Sequence, residues 1–378
     1  PAMPDPFDEH YSYLSDRVKV ERYQAAIKRA VNPGAVVMDL GCGSGLLGLM
    51  ALRAGAGKVL FVEEGPIIEV ARRTISEAGF MDLAEFHHTN SYQLDLPERV
   101  DVVICDHVGY LGFDYNILPL LADARERFLK PGGILMPGEI ELELAPVESG
   151  EGREFVGRWR DGSIPADFAW VGSSAANTKH ALQLEAANLL AHPTALATLE
   201  LGADAEAFYS WQVEFVCSRD GGLDGLLGWF DCRLFDDIRM TNSPAASDRI
   251  YRPQAFLPLD ERVSVRAGET VCATLMARPD DHILAWTAEL PNLGEKFSQS
   301  TFGGLLLDAE ALERSHSERI AKLNERGRAR QVILSYCDGK RTIAEIEALV
   351  RESHADLFPS ARATERFVRR VLTRDTTA

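Results

Sequence analysis

Val36-Val37-Met38-Asp39-Leu40-Gly41-Cys42-Gly43-Ser44-Gly45 is the stretch on which the reading turns. The apolar run from Val36 to Leu40 predicts a buried strand. Three glycines at alternate positions then predict a loop whose backbone turns tightly and approaches a ligand closely. Leu46 to Ala54 is amphipathic and predicts a helix. Its first turn, just past Gly45, would aim free N–H groups at that ligand. Working outward, Lys58 to Glu63 and Val100 to Cys105 predict two more buried strands, and Ile67 to Ala78 a second helix. Lys130-Pro131-Gly132-Gly133 reads as a turn that ends a helix starting near Pro119, and the apolar run Ile134 to Met136 follows it. Strand–helix alternation of this kind implies βαβ units and a doubly wound sheet.

The pattern changes near residue 140. Ile140 to Leu144, Trp211 to Val216, Leu227 to Leu234 and Val271 to Met276 are short runs that read as strands, separated by turn residues at Asp220-Gly221-Gly222 and Arg266-Ala267-Gly268. They predict an all-β module, a sandwich or barrel. Residues 160–200 are richer in Ala and Leu and predict an inserted helix or arm. From about 305 onward the chain reads as helical and strongly charged. The expected fold class is α/β: a Rossmann-like doubly wound sheet, then a β-barrel domain, then a small helical C-terminal module. The expected domains are 1–138, 139–300 with the arm near 160–200, and 305–378.

The chain has 378 residues with 40 Lys plus Arg against 57 Asp plus Glu, a net charge of −17. With 46% apolar and 26% charged residues it has globular composition and is long enough for a sizeable core. The acidic balance disfavours binding that tracks nucleic-acid phosphates. No apolar run approaches a membrane span, and the N-terminus lacks a basic-then-apolar signal pattern, so a soluble cytoplasmic protein is expected. Six cysteines without CxxC pairs argue against a disulfide framework or a metal cluster and for reduced thiols.

Asp39 precedes the glycine loop and Glu63 closes the next strand, where a carboxylate typically accepts hydrogen bonds from ribose hydroxyls. The dinucleotide fingerprint G-x-G-x-x-G would want glycine at position 46, which is Leu46. The residues instead resemble the D-x-G-x-G-x-G motif of class I S-adenosylmethionine-dependent methyltransferases. Upstream, His10 through Tyr23 and on to Ile27 resembles the cofactor-covering segment of the protein arginine methyltransferases, H-x-x-M-L-x-D-x-x-R-x-x-x-Y, with Tyr13 for the Met and Lys19 for the Arg. His88-Thr89-Asn90-Ser91 falls where that family contacts adenine. Gly109-Tyr110 and Phe128 to Pro137 also match. The resemblance spans roughly residues 8 to 290. It implies S-adenosylmethionine as cofactor, held by Tyr13, Lys19, Asp39, Gly41, Gly43, Gly45, Glu63, Glu64, Asn90 and Ser91. Lys19 would grip the cofactor's carboxylate as a point charge, without arginine's fork. The family's dimerising arm makes 160–200 the candidate arm of a homodimer.

The departures concern the methyl acceptor. The family clamps a guanidinium between two glutamates, aligning one nitrogen and concentrating negative charge. Here the first is Asp106, and the second register position is Tyr115, flanked by Asp114 and Asn116. Asp114 is either the second acid or a turn residue. His107 replaces the family's Trp. An imidazole beside a carboxylate can act as a general base near neutral pH, or can simply be a structural loop residue. The candidate catalytic residues are therefore Asp106, His107 and Asp114. The family's T-H-W motif is missing: Ile250 stands at the His and Tyr251 at the Trp. Tyr251 can line the acceptor site, and Arg249 or Arg252 can hold a substrate carboxylate or lie in a solvated loop.

In the tail, Cys337-Asp338-Gly339-Lys340-Arg341-Thr342-Ile343-Ala344-Glu345-Ile346 is a turn into a helix with Thr342 as N-cap and Glu345 three residues on. It resembles small PqqD-like winged-helix modules, which implies either binding of a precursor peptide or a structural cap. The functional expectation is methyl transfer from S-adenosylmethionine to a nitrogen of an arginine-like or peptide acceptor. An N- or O-methyltransferase of a small specialised metabolite, and a catalytically silent cofactor- or peptide-binding adaptor, are the alternatives.

Overall fold

A computed structural model describes residues 6–306 and 308–376. Residues 1–5, 307 and 377–378 of the expected domains lie outside it. Two helices, α1 (Pro6–Ser15) and α2 (Arg17–Ala30), precede the first strand. The alternation then runs β1 (Val36–Leu40), α3 (Leu46–Arg53), β2 (Lys58–Glu63), α4 (Ile68–Glu77), β3 (Ala84–His88), β4 (Val100–Ile104), α5 (Ile117–Arg127) and β5 (Leu129–Met136). The five strands form one parallel sheet in the order β3-β2-β1-β4-β5. The strand order reverses beside β1, so the crevice at the carboxyl ends of β1 and β4 is where a ligand belongs. Val37, Met38 and Leu40 of β1 are buried, as both-face burial in a central parallel strand demands.

Two local expectations are corrected. Residues 130–133 do not end a helix. They lie inside β5, where Gly132 has a φ of 75° and the pairing with β4 shifts register. Gly132 supplies a backbone conformation that other residues rarely adopt, so the strand bulges there and continues. The preceding helix begins at Ile117, ahead of Pro119, because Pro is tolerated in a first helical turn, where no N–H partner is needed.

The remaining strands are antiparallel. One sheet runs β7 (His180–Leu182), β12 (Gln254–Val265), β10 (Gly221–Phe235), β6 (Glu139–Val147) and β8 (Thr194–Glu200), with β11 (Ile238–Thr241) beside β10. A second runs β15 (Glu295–Ser300), β14 (Ile283–Leu290), β13 (Thr270–Arg278) and β9 (Tyr209–Val216). Together they make the barrel-like half. Along β13 and β14 burial alternates strictly, one face toward the core and one toward solvent. Gly221 and Gly222 open β10 and are not part of a free turn. The expected Ala-rich helix at 160–200 is reduced to α7 (Val171–Ala176), because β7 and β8 claim the rest. A further helix, α6 (Gly150–Gly157), lies ahead of it. Composition could not separate these, since Ala and Leu also suit short strands packed on a neighbour.

Residues Leu306–Ala378 form a separate compact unit. Its helices α8 (Ala309–Ser315), α9 (Glu325–Ser335), α10 (Ile343–Ser353) and α11 (Ala361–Asp375) include a small core of Ile333, Ile346, Val350, Val368, Val371 and Leu372. Thr342 and Glu345 form a reciprocal capping box at the start of α10. Among the described residues no helix is long and apolar enough to cross a membrane.

Candidate active site

The carboxyl ends of β1, β2, β3 and β4 deliver the glycine loop, Glu63, Asn90 and Asp106-His107 to one crevice. Two cavities open there, of about 640 and 390 Å³, and Gly41, Glu63, His107, Tyr115 and Asn116 line both. They form one cleft with two ends.

The smaller end is polar. Glu63 accepts hydrogen bonds from the backbone N–H of Gly43 (3.0 Å) and of Gly65 (2.7 Å), which fixes its carboxylate at the mouth of the loop. Asn90 Nδ2 donates to Glu64 Oε2 at 2.6 Å, and Asn90 Oδ1 accepts from Tyr92 N at 3.0 Å. Ser91 lines the same cavity, held from behind by Arg127, whose Nη2 donates to the Ser91 carbonyl. Gly41 and Gly43 line the cleft with φ of 69° and 51°. A side chain at Gly41 would sit 2.5 Å from His107 Nε2, so this glycine makes room for that imidazole. Gly45 is not among the lining residues. It caps α3 with φ 81° and packs on Ala71, which makes its role one of turning the chain.

Asp39 lines the larger end but is only 1% exposed, and its carboxylate accepts from Gly48 N in the first turn of α3 at 2.7 Å. Burial pushes its carboxyl up to about 7 against the pull of that hydrogen bond, with the charges of Glu63 and Asp106 adding to the rise. Asp39 thus ties strand to helix and shapes the loop. Tyr13 lines this end too. Its hydroxyl donates to Glu9, and burial followed by the Glu9 contact pushes it up to about 12.

Asp106 and Asp114, two of the acids that line the larger end, are each paired with a lysine. Lys19 Nζ donates to Asp106 Oδ2 at 2.6 Å, and Tyr23 Oη donates to Asp106 Oδ1 at 3.1 Å. Lys19 also lies 4.6 Å over the Tyr13 ring. Burial would raise the Asp106 carboxyl, but the Lys19 and Arg252 charges and the two hydrogen bonds outweigh it and hold it below the usual range. Asp114 accepts from Leu111 N at 2.9 Å and forms an ion pair with Lys179. His107 lies between the two ends. Burial lowers its imidazole below the ordinary value, despite the opposing charges of Asp106 and Glu63, so it is neutral at pH 7.

The loop from Asn242 to Pro253 contributes one residue to the larger end. Tyr251, expected to line it, is 77% exposed and absent from the lining. Arg249 is committed elsewhere, donating to the carbonyls of Leu184 and Pro244 and pairing with Glu185. Arg252 does face the cavity. Asp16 joins this loop to α2: one oxygen accepts from Lys19 N at 3.1 Å and the other from Tyr251 N at 2.7 Å. Sequence reasoning missed Tyr23 as a partner of Asp106, although its place four residues after Lys19 puts both on one helix face. It also missed Lys179 and His282, which arrive from the barrel half and carry no local signal.

Comparison with known proteins gives concordant results. A model described as a methyltransferase domain matches residues 37–133. The chain is 32% identical over 278 residues to an arginine N(omega)-methyltransferase of Streptomyces achromogenes subsp. streptozoticus, covering 70% of this chain and 75% of that one. It is 24% identical over 286 residues to protein arginine N-methyltransferase 6 of Xenopus laevis, covering 72% and 84%. Among solved structures, protein arginine methyltransferase 10 of Arabidopsis thaliana superposes with a TM-score of 0.67 at 21% identity, over 77% of this chain and 97% of that one. The Trypanosoma brucei PRMT1 enzyme-prozyme complex with AdoHcy does so with 0.68 at 16%, over 78% and 98%.

Proposed function

The chain belongs to the arginine methyltransferase family, whose members use S-adenosylmethionine, and from that premise we propose that it methylates a guanidino nitrogen of a small, arginine-like amino acid. When bound, S-adenosylmethionine supplies a methyl carbon made electrophilic by its sulfonium charge. The cleft suits it: glycines let the backbone of the loop approach, and Glu63 stands beside them as an acceptor for ribose hydroxyls. Glu64, Asn90 and Ser91 would border the adenine, and Tyr13 would cover the larger end.

This chain's residues supply orientation and charge. Asp106 and Asp114 accept N–H bonds from a planar cation and align one nitrogen. His107, neutral, can take the proton which that nitrogen gives up. The observation that favours a small acceptor over a peptide is the pairing of both acids with lysines, Lys19 and Lys179. With Arg252 added, the charges of Asp106 and Asp114 are locally offset, and those two acids have little left to draw in a bare guanidinium. An amino acid carrying its own carboxylate fits better. The relative from Streptomyces achromogenes is likewise called an arginine N(omega)-methyltransferase, not a protein methyltransferase. A labelled-methyl assay should transfer label to free L-arginine more efficiently than to arginine-containing peptides. Label found only in peptide would overturn the acceptor.

The pH dependence follows from His107. A base whose conjugate acid lies below 6.5 is active above that value and is lost as pH falls through it. The kcat/KM profile should therefore show an acid limb centred below 6.5. His107→Gln should abolish the limb and lower the plateau about 100-fold. A limb unchanged in that variant would remove His107 from the proton path. Dimerisation through the 160–200 region is part of the same proposal, supported by Phe168 and Trp170, which are 52% and 61% exposed there. Recognition of a precursor peptide by the C-terminal unit is proposed on its resemblance alone.

A further inference from the structure

Among the described residues only two cations are buried, Lys19 at 4% and Arg252 at 9% exposure, and both line the larger cavity. Lys19 has its carboxylate, Asp106, at 2.6 Å. Arg252 has none: no acid among the described residues lies within ion-pair distance of it, and its only marked contact is the Tyr13 ring, 5.9 Å from the guanidinium carbon. Its charge nevertheless reaches Asp106, His107 and Tyr115, the groups around the site. A guanidinium set in a cavity wall without a carboxylate partner leaves its donors free for an anion that enters that cavity.

The backbone that carries it is held firmly. Arg252 N donates to Ile250 O at 2.9 Å, Tyr251 N donates to Asp16, and Arg22 of α2 pairs with Asp248 of the same loop. Ile250 is 1% exposed and plugs the loop into the core. The same Asp16 caps the helix turn that carries Lys19. One carboxylate therefore sets the spacing of the paired and the unpaired cation.

We propose that Arg252 is the carboxylate anchor of the cleft, its planar fork gripping the carboxylate of an α-amino-acid moiety bound in the larger cavity. The inference rests on the methyltransferase reading above. Two molecules of the proposed reaction carry such a moiety, the cofactor in its methionyl part and a free arginine-like acceptor. Lys19, already bonded to Asp106, is left to hold that acid in place. The other candidate on this loop, Arg249, is spent on two carbonyls and Glu185.

Calorimetry on the full chain tests this with two matched pairs of ligands. The first pair is S-adenosylhomocysteine and 5′-methylthioadenosine, the same nucleoside thioether without its amino-acid part. The second, measured with S-adenosylhomocysteine present, is L-arginine and L-argininamide. Arg252→Gln should weaken the carboxylate-bearing member of at least one pair about 10- to 100-fold while its partner changes little. Arg252→Lys should recover part of the loss, since it restores charge without the fork. The pair affected identifies the source of the carboxylate. Because each comparison is made within one variant, a general loss of folding would weaken both members alike. Affinity ratios unchanged in both pairs, in a variant that binds 5′-methylthioadenosine as tightly as wild type, would overturn the anchor. Wild-type protein that fails to bind S-adenosylhomocysteine would instead overturn the cofactor reading itself.

Discussion

An Asp106→Asn variant is expected to lose about 1000-fold in kcat while binding S-adenosylhomocysteine to within roughly fivefold of wild type. The carboxylate sits at the carboxyl end of β4, bonded by Lys19 at 2.6 Å and Tyr23 at 3.1 Å. Those two contacts fix its orientation and leave it ionised. Asn keeps the shape and one acceptor oxygen but removes the negative charge that would stabilise positive charge as it moves from the sulfonium to the methylated guanidino nitrogen. It also leaves Lys19, 5% exposed along its side chain, without an anion. A stability loss of about 1–3 kcal/mol should accompany the kinetic effect. Single-turnover rates at saturating cofactor, together with the binding constant, separate the two. A variant with near-normal kcat would remove Asp106 from the acceptor site.

Glu63→Ala is expected to act on the other ligand. Its carboxylate accepts from Gly43 N and Gly65 N, so it shapes the loop, and in the proposed reading it also accepts from the ribose hydroxyls. Two charge-assisted hydrogen bonds to sugar hydroxyls are worth about 3–6 kcal/mol together, and their loss should weaken S-adenosylhomocysteine binding about 1000-fold. Glu64→Ala, which frees Asn90 Nδ2 and trims the border of the smaller end without removing the proposed ribose acceptor, should cost less. Calorimetry on both variants checks the contrast. Equal losses would mean that Glu63 is not the ribose acid.

The parallel half was legible because its signals are local. An apolar run of five residues, glycines at 41, 43 and 45, and an acid closing the next strand are periodicity and spacing, and the observed β1, α3 and β2 follow them within a residue. Even there, spacing could not tell Gly41 and Gly43, which face the cleft, from Gly45, which turns the chain. Lys130 to Gly133 read as a turn because Pro and Gly break helices. Pairing with β4 decides that they bulge within a strand. The acceptor end was the least legible. Tyr251 and Arg252 are adjacent in sequence, yet the neutral phenol is 77% exposed and the charged guanidinium residue only 9%. The bond from Tyr251 N to Asp16, 235 residues away in the chain, determines which of the two points inward.

By itself the sequence determined the strand–loop–helix unit, the place of Glu63 at the end of β2 and the family resemblance, since each depends on neighbours within a few tens of residues. Tertiary structure alone decided which charges meet. Lys19 finds Asp106 and Asp114 finds Lys179 across long stretches of chain, and among the described residues no acid forms an ion pair with Arg252. A carboxylate's chemistry is set by the counter-ion and solvent around it, and neither is encoded next to it.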